Sequence, residues 1–492
     1  MNILLIYPKF PDTFWSFTYA LSFIGKKAAF PPLGLLTVAS LLPKEWPKRL
    51  VDVNVDSLKD KDLLWADMVF IGGMAVQRKS AEQIIARCKA SNIKIVAGGP
   101  LFTSEPDEFK GVDHLVLDEA ELTLPAFLSD LENGQPKKVY RAPGYCDICD
   151  TPTPMWNLAK MKRYASMNIQ FSRGCPFNCE FCNVTTLFGH RSRVKTPQLV
   201  IAELDLIYAS GWRSSIFFVD DNFIGNKHYL KTHLLPALIE WRKDKKGCIF
   251  FTEASINLAD DPELMDMMVK AGFDSVFIGI ESPDEASLTE CHKIQNKNRD
   301  LLESVKVIHR SGLQVMGGFI VGFDNDRPSI FQRQIDFIQN SGIVTAMVGM
   351  LQAPPGTRLY DRLQLESRVV NTFSGDNVDG TTNIIPKMGI DRLLEGYQSV
   401  MKQIYSPENY YRRIRTLFRE LKAPEIRQPI NFQRFLSIFR SAIRLGVIGK
   451  ERFYYWQLIL WTMIRKPGLI PLAVTLSIYG YHYRKICRLY IL

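Results

Sequence analysis

Three cysteines within eight residues are the clearest chemical feature of the sequence. Cys175, Cys179 and Cys182 lie in the segment SRGCPFNCEFCN, directly after a short apolar run that predicts a strand. Thiolates are soft ligands that suit iron–sulfur clusters and zinc. Three thiolates can bind three corners of a [4Fe–4S] cubane and leave one iron open, whereas a structural zinc would want a fourth ligand, for which His190 is the nearest candidate. Unrelated free thiols are the third interpretation.

The size and composition of the chain indicate a multidomain globular protein around this motif. The chain has 492 residues, of which 46% are hydrophobic and 23% charged, and this balance excludes disordered and fibrous classes. The length predicts about three domains. An odd number of cysteines, nine, argues against a disulfide framework. Residues 1–8 lack a basic segment and a cleavage site, so we expect a cytoplasmic location.

Residues 1–135 alternate short apolar runs with helical segments. This alternation predicts an α/β domain in which five parallel strands are covered by helices on both faces, a flavodoxin-like doubly wound fold. Ligands of such folds bind beyond the carboxyl ends of the strands, where glycine lets the backbone approach closely. Ordinary turn and cap residues are an equally good explanation of the positions concerned. The candidate ligand-binding residues there are Gly72, Gly73, Gly98 and Gly99.

The rest of the chain divides into three further parts. Residues 136–165 are rich in proline and predict a linker. Residues 166–370 contain six strand–helix units, which predict a partial (β/α)6 TIM-like barrel with catalytic groups at the carboxyl ends of its strands. The strand pattern then stops, and residues 371–492 predict an all-helical, basic C-terminal domain.

The cysteine motif resembles the CxxxCxxC motif of the radical SAM superfamily, in which an aromatic residue precedes the last cysteine as Phe181 does here. The resemblance implies that the open iron binds S-adenosylmethionine (SAM), which is cleaved to a 5′-deoxyadenosyl radical. It also implies SAM contacts at later strand ends, although Asp220 and Asp221 could instead cap a helix and Glu281 could be a surface carboxylate. The SAM-binding residues implied are Phe181, Asp220, Asp221, Asn222, Glu253, Ser255, Gly279 and Glu281.

A flavodoxin-like domain before such a barrel resembles the cobalamin-binding subclass of this superfamily. The resemblance covers residues 1–370 and implies that the two glycine pairs hold the cobalamin nucleotide tail, with Gln77 and Arg78 facing the corrin. The usual DxHxxG signature is absent, since residues 7–11 read YPKFP, and His114 lies at a strand start, where a structural role is the simpler explanation. We therefore expect cobalamin to bind without a protein histidine ligand.

The C-terminal fifth carries the positive charge of the protein. Residues 401–492 hold 17 Lys and Arg against four Asp and Glu, while the whole chain has a net charge of +10. Residues 456–464 and 468–481 are apolar but too short to span a bilayer, and basic and aromatic residues flank them. This pattern predicts either an interfacial tail on an anionic membrane or a helical cap packed on the barrel. Nucleic acid is a weaker explanation, because no recognised motif accompanies the charge.

Residues 217–226 and the helical tail look like the group that contains hopanoid C-2 methylases. This resemblance implies a carbon methyltransferase: the radical abstracts hydrogen from a lipid or other small molecule, and cobalamin, remethylated by a second SAM, supplies the methyl group. It implies a [4Fe–4S] cluster, SAM and cobalamin as cofactors, and a reductase, ferredoxin or flavodoxin as electron donor. Radical rearrangement, cyclisation or oxidation without methyl transfer stays open, as does an iron–sulfur or zinc module for nucleic acid or a partner. For the location, peripheral contact with the inner membrane face remains an alternative to the cytoplasm alone.

Overall fold

The N-terminal part of the chain is a parallel sheet with helices on both faces. The computed structural model describes residues 1–376, 379–423 and 432–492. The strands are β1 (Ile3–Tyr7), β2 (Lys48–Asp52), β3 (Met68–Gly72), β4 (Lys94–Gly98), β5 (His114–Val116) and β6 (Val139–Tyr140). The helices are α1 (Thr18–Ile24), α2 (Leu33–Leu41), α3 (Asp60–Trp65), α4 (Arg78–Ala90), α5 (Pro100–Ser104) and α6 (Ala120–Glu132). The strand order, β2-β1-β3-β4-β5-β6, is the flavodoxin-like order extended by one strand.

Both faces of this first sheet are buried, as the continuous apolar runs of its strands predict. In β1, Leu4 and Ile6 pack into the core on one face. Ile3 and Leu5 pack into the core on the other face. Successive side chains of a strand point to opposite faces, so a strand buried on both sides must be apolar at every position.

The prediction of five strands for this sheet was one strand short, and the missing strand lies within residues 136–165, the predicted linker. The sheet takes its sixth strand, β6, from that segment, and β6 pairs in parallel with β5. A strand of two residues is too short to produce a hydrophobic period, so the sequence pattern could not reveal it. The hydroxyl of Tyr140 donates to Asp130 at 3.0 Å and anchors the strand to α6. The exact limits of the domains stay predictions.

The second part of the chain is an open, barrel-like sheet of six parallel strands. Its strands are β7 (Met167–Ile169), β10 (Ser215–Phe218), β11 (Ile249–Glu253), β12 (Phe273–Glu281), β13 (Gln314–Val321) and β14 (Ala346–Met350), with a separate antiparallel hairpin of β8 (Ser172–Arg173) and β9 (Arg193–Val194). Its helices are α7 (Val184–Phe188), α8 (Pro197–Ala209), α9 (Lys227–Tyr229), α10 (Leu235–Asp244), α11 (Pro262–Ala271), α12 (Glu285–Glu290), α13 (Leu301–Ser311), α14 (Ile330–Ser341) and α15 (Arg358–Leu365). The order β14-β13-β12-β11-β10-β7 confirms the partial (β/α)6 arrangement.

The C-terminal part is helical, as predicted, throughout the elements that the structure describes. Its helices are α16 (Ile390–Ile404), α17 (Pro407–Glu420), α18 (Phe432–Ile443), α19 (Arg452–Arg465) and α20 (Ile470–Ile486). Residues 424–431 belong to this predicted region and lie outside the described residues. Within the described ranges, none of the helices has both the length and the apolar character needed to cross a bilayer.

The C-terminal helices pack on both the barrel and the beginning of the chain. The guanidinium of Arg413 is fully buried and donates to the carbonyl of Ile404 at 2.8 Å and to that of Val344, before β14, at 3.2 Å. The ring of Tyr483 in α20 stacks on Phe14 with centroids 4.0 Å apart. The final helices therefore cover the segment that precedes α1.

Candidate active site

The three predicted ligand cysteines lie in one loop after β8. Gly174, directly before Cys175, has φ +89°, and a Cβ there would collide with the carbonyl oxygens of Phe188, Gly189 and Arg191. Only glycine fits this position without strain. The backbone N–H of Cys175 donates to the carbonyl of Gly189 at 3.2 Å, so the loop is closed against the residues that lead into β9.

Amide donors and one cation surround the thiols. Asn222 Nδ2 lies 3.9 Å from Cys175 Sγ, and Gln295 Nε2 lies 3.7 Å from Cys179 Sγ. Burial raises the pKa of Cys182 to about 12, while the backbone N–H of Val184 and the charge of Lys293 act in the opposite direction. Donors aimed at sulfur stabilise thiolates and tune iron–sulfur clusters.

The donor set fits an iron–sulfur cluster. Within the described ranges, no three His, Cys, Asp or Glu side chains converge on a point where they could share one metal ion. A cubane gives each thiolate its own iron, so its ligands need not converge in that way. Cys175, Cys179 and Cys182 would hold the cluster, and Asn222 and Gln295 would donate to its ligand sulfurs.

A buried ion pair fixes the middle of the cysteine loop. Arg362 of α15 donates to the two carboxylate oxygens of Glu180 at 2.8 and 3.1 Å. The backbone N–H of Glu180 donates to the carbonyl of Cys291 at 2.9 Å, and its carbonyl accepts from Leu359 N at 3.1 Å. The loop is therefore held from its sides by residues distant in sequence.

The two acidic residues after β10 have different roles. Asp220 is fully buried and accepts hydrogen bonds from the backbone N–H groups of Phe171, at 3.4 Å, and Ser172. The predicted SAM contact through Asp220 is therefore not supported, because its carboxylate is used to join β10 to the start of the hairpin. Asp221 instead lines a large cavity, and its buried Oδ2 has no hydrogen-bond partner in the described part of the chain.

Asp221 and Glu253 form an acidic end to this cavity. Burial raises the pKa of Asp221 to about 6. Burial, and after it the negative charges of Asp221 and Asp220, raise the pKa of Glu253 to about 8. Buried carboxylates that repel each other favour a bound cation, because a positive charge removes the cost of ionising both. The sulfonium and ammonium groups of SAM meet this requirement.

Asn222 and Ser255 connect the cysteine loop to the end of β11. Asn222 Oδ1 accepts from the backbone N–H of Ser255 at 3.2 Å and from its hydroxyl at 3.4 Å. Because its Nδ2 is directed at Cys175, Asn222 bridges two elements of the site. This places it beside the thiols rather than free at the cavity wall.

Glu281 is held in a buried ion pair rather than exposed on the surface. The register of β12 against β13 shifts between Gly279 and Glu281, and Glu281 has φ +61°. This irregularity turns its carboxylate to Lys293 Nζ at 2.6 Å. A Cβ at Gly279 would collide with both charged groups, so this glycine makes room for the pair. The predicted SAM contact through Glu281 is not supported while Lys293 occupies its carboxylate.

Lys293 is a residue of the site that the sequence did not predict. Burial would lower its pKa, but the charges of Glu281 and Cys179 raise it above the ordinary value. Its Nζ lies 5.9 Å from the ring centroid of Phe181, and Phe181 packs against Phe323 with centroids 6.3 Å apart. Lys293 lies just after α12 and belongs to no recognisable sequence motif. It reaches the cysteine loop only because of the way the chain folds.

One cavity of about 2200 Å³ joins the sheet domain to the barrel. It is lined by the predicted glycines Gly72, Gly73, Gly98 and Gly99 and also by Asp221 and Glu253. The backbone itself requires glycine at two of these positions, independently of any ligand. Gly99 has φ +87°, and a Cβ at Gly98 would collide with the carbonyl of Val116. All four nevertheless lie at the cavity surface, where the prediction put a cofactor.

Gln77 and Arg78, which were predicted to face the corrin, are not among the residues that line this cavity. Gln77 is buried; its Nε2 donates to the carbonyl of Pro8 at 2.5 Å, and its Oε1 accepts from Met74 N at 2.9 Å. Arg78 is paired with Glu105 and lies over the ring of Phe109. Both side chains hold the loop after β3 in place, and their contact with the corrin stays a prediction.

The barrel lumen is apolar below the acidic end. The rings of Phe217 and Phe251 stack with centroids 4.7 Å apart, and Trp15 packs edge-on against Phe277 at 5.3 Å. Alternate residues of each strand face inward, so these positions form layers across the barrel. The large apolar side chains of the strands in this part of the cavity wall include Phe217, Phe251, Phe277, Met316 and Met347.

Comparison with known proteins agrees with this architecture. The profile described as Radical SAM superfamily matches residues 169–338, and that described as domain of unknown function DUF4070 matches residues 357–491. A Synechocystis protein named uncharacterized methyltransferase sll1242 is 41% identical, covering 99% of this chain and 93% of its own. The hopanoid C-2 methylase of Rhodopseudomonas palustris is 33% identical, covering 94% of this chain and 90% of its own.

A solved structure shares the same fold over the whole chain. It is the cobalamin-dependent S-adenosylmethionine radical enzyme OxsB with aqua-cobalamin and S-adenosylmethionine bound, at TM-score 0.63 and 14% identity, covering 100% of this chain and 84% of OxsB. Fold, cysteine loop and relatives thus agree, and the chain belongs to the radical SAM superfamily, in the family of the hopanoid C-2 methylase. It is a radical SAM enzyme with a [4Fe–4S] cluster and SAM as cofactors.

Proposed function

We propose that the protein is a cobalamin-dependent radical SAM methyltransferase that methylates an unactivated carbon of a lipid. The observation that carries the proposal is the shared cavity: the glycine edge of the N-terminal sheet and the acidic end of the barrel open into the same space. A cofactor on the sheet domain and SAM in the barrel would therefore face a common substrate. The names of the two relatives, a methyltransferase and a hopanoid methylase, support the reaction class and an apolar substrate.

When bound, the cluster supplies the electron that cleaves SAM, and cobalamin supplies the methyl group. The chain's own residues have three tasks. The thiolates of the cysteine loop bind the cluster, and Asp221 and Glu253 receive the positive charge of SAM. The apolar lumen, with Phe217 and Phe251 stacked across neighbouring strands, holds an apolar molecule and excludes water from the radical.

Cobalamin is expected to bind without a histidine from the sheet domain. His114 is the one histidine in residues 1–150. Its Nδ1 lies 2.7 Å from the carbonyl of Lys137, so the ring is used to hold the start of β5 beside β6. Gly72, Gly73, Gly98 and Gly99 would accommodate the cofactor. A reduced ferredoxin or flavodoxin is the expected electron donor, and the basic tail the expected contact with the inner membrane face.

The test is a product balance on the reconstituted enzyme. The protein is loaded anaerobically with iron, sulfide and hydroxocobalamin and incubated with reductant, methyl-labelled SAM and host lipid extract. We expect 5′-deoxyadenosine and S-adenosylhomocysteine in about equal amounts, and a lipid that has gained one methylene in mass, because one SAM is cleaved and another gives up its methyl group. A consumed lipid with 5′-deoxyadenosine but no S-adenosylhomocysteine would establish a radical rearrangement, cyclisation or oxidation instead.

A further inference from the structure

The cavity reaches the edge of the barrel opposite the cysteine loop. Its lining includes the first residues of three strands, Ser215, Ile249 and Gln314, and the cysteine loop follows the carboxyl end of β7. At this amino-terminal edge the wall is completed by Leu472 and Thr475 of α20. Thr475 is exposed, so the cavity opens to solvent beside α20.

The helices next to this opening expose an apolar surface. In α18 and the π-helical turn Arg444–Ile448 the large exposed apolar side chains are Phe435, Ile438, Phe439, Ile443, Val447 and Ile448. In α19 they are Phe453, Trp456, Leu460, Met463 and Ile464. Spacings of three and four residues put each set on one face of its helix. We call these two sets together the apolar face.

The two halves of the apolar face are joined. Trp456 Nε1 donates to the carbonyl of Gly446 at 2.9 Å, so α19 lies directly against the turn that carries Val447. Phe453 and Ile464 keep 75% and 77% of their surface exposed. Large contiguous exposed apolar patches mark interaction sites, whereas single exposed apolar residues do not.

The charge around the apolar face favours an anionic bilayer as its partner. Residues 432–492 contain ten Lys and Arg and a single acidic residue, Glu451. Glu451 is buried and bonded to Arg484 at 2.7 Å, so it does not offset the positive surface. Lys450, Arg452 and Arg465 are exposed at the two ends of α19. Basic side chains around exposed aromatic and aliphatic ones are typical of surfaces that insert among anionic headgroups.

Ile438 links the apolar face to the cavity. It is 36% exposed as part of that face, and it also belongs to the cavity lining together with Leu472. We propose that the apolar face docks on an anionic bilayer and that the opening beside α20 admits an apolar lipid from this bilayer into the barrel lumen. The proposal rests on the proposed function only for the use made of that lipid; docking and entry need no methyl transfer.

The docking step is tested with the full chain and vesicles of phosphatidylcholine with or without phosphatidylglycerol. The variant Phe453→Glu/Ile464→Glu places two charges on the apolar face at exposed positions and should fold normally. Its control is Leu64→Glu, an equally exposed apolar residue of α3 at 84% exposure. We expect the double variant to lose about tenfold or more in binding to anionic vesicles, and the control to match the wild type.

Two results would overturn docking. One is equal binding of the double variant and the wild type to anionic vesicles. The other is a concentration-dependent dimer in light scattering that the double variant abolishes, with no vesicle binding by the wild type, since the apolar face would then be an interface between two copies of the chain. Both measurements are independent of catalysis, so they leave the proposed methyl transfer standing.

The entry step is tested with cis-parinaric acid, a fluorescent fatty acid with an apolar polyene chain, delivered in anionic vesicles. Trp15 and Trp212 line the cavity and would transfer energy to a probe that enters the lumen. The measurement uses a Trp456→Phe/Trp461→Phe background, because these two residues of α19 would transfer energy to a probe that is still in the bilayer. The variant Thr475→Phe narrows the opening without touching the cysteine loop. We expect it to slow the rise of energy transfer by about tenfold while vesicle binding is unchanged. Equal rates for variant and wild type, or no energy transfer in the wild type, would overturn entry by this route.

Discussion

Arg173 of the barrel and Glu121 of the N-terminal sheet domain form an ion pair at 2.7 Å, with 11% and 6% of their side chains exposed. Although burial would raise the pKa of Glu121, its hydrogen bond and ion pair with Arg173 hold it below the ordinary value. Arg173 also contacts Glu119 at 3.2 Å. Arg173 lies two residues before Cys175, so the ion pair that connects the two domains lies directly beside the cysteine loop.

Removing the cation of this pair should destabilise the protein strongly. Arg173→Met leaves Glu121 buried without its charge partner, and we expect the free energy of unfolding to fall by about 3 kcal/mol in chemical denaturation. The control is Arg87→Met. Arg87 also pairs at 2.7 Å, with Asp60, but both side chains are exposed, so the loss should stay below about 1 kcal/mol. Equal losses in the two variants would contradict the role given to burial.

The second prediction concerns the cluster. Replacing Cys175, Cys179 and Cys182 together by Ala should remove the roughly four iron and four sulfide expected after anaerobic reconstitution, measured by metal and sulfide analysis and by the visible spectrum. The matched control is Cys146→Ala/Cys149→Ala, which changes two thiols of the segment before β7 and should keep the cluster. Iron retained in the triple variant, or tetrahedral zinc in the native protein, would refute the assignment.

The third prediction concerns the charge of the SAM site. Above about pH 8, where Glu253 is ionised, Glu253→Gln removes a negative charge at the acidic end of the cavity, and we expect about tenfold weaker SAM binding in calorimetry. Because burial raises the pKa of Glu253 to about 8, the wild type should also bind SAM more weakly as the pH falls below this value, when the carboxylate is neutralised. Glu253→Gln should show a flatter pH dependence. Glu240→Gln, at an exposed position, is the control.

The fourth prediction concerns stability in acid. Burial lowers the pKa of His309 to about 3, and neither ring nitrogen has a hydrogen-bond partner in the described part of the chain. In the unfolded chain the pKa is about 6.5, so below that pH the unfolded state binds the proton and the folded state does not. Stability should therefore fall by about 1.4 kcal/mol per pH unit from this group as the pH drops from about 6.5 toward 3.

His309→Phe removes this contribution while it keeps a ring in the same space. Urea denaturation at about pH 7 and about pH 5 should show a smaller loss for His309→Phe than for the wild type. His233→Phe, which replaces an exposed histidine of the barrel, is the control and should behave as the wild type does. A loss on acidification that is as large in His309→Phe as in the wild type would show that other groups govern acid stability.

The local features of the fold were predictable from the sequence. The run Ile3–Tyr7 was predicted as a strand and is β1. A strand buried on both faces is a continuous apolar run, and this pattern is visible without knowledge of the neighbouring strands. The cysteine loop was also predictable, because its three ligands lie within eight consecutive residues and their spacing is visible in the sequence. β6 escaped prediction because its pairing with β5, rather than its own residues, makes it a strand.

The roles of the site residues depended on distant contacts and were harder to predict. Asp220 and Asp221 are adjacent, and one turns into the protein while the other turns to the cavity. A shift of one residue exchanges these faces, so composition alone could not assign them. Lys293 reaches Glu281 and the thiols only through the folding of β12 and α12. The tail packs on the rest of the chain through buried side chains such as Tyr483, as the cap alternative predicted, and it also exposes Phe453, so contact with a membrane stays a prediction.

The stacking of Phe14 on Tyr483 has a consequence for how the protein is made. The ribosome makes Tyr483 only after the sheet domain and the barrel, so Phe14 has no stacking partner while those parts are synthesised. A nascent chain whose sheet domain and barrel have folded would still expose Phe14, and chaperones would bind there. A premature stop codon before α20 would thus leave Phe14 uncovered and create a defect beside α1, far from the site of the mutation.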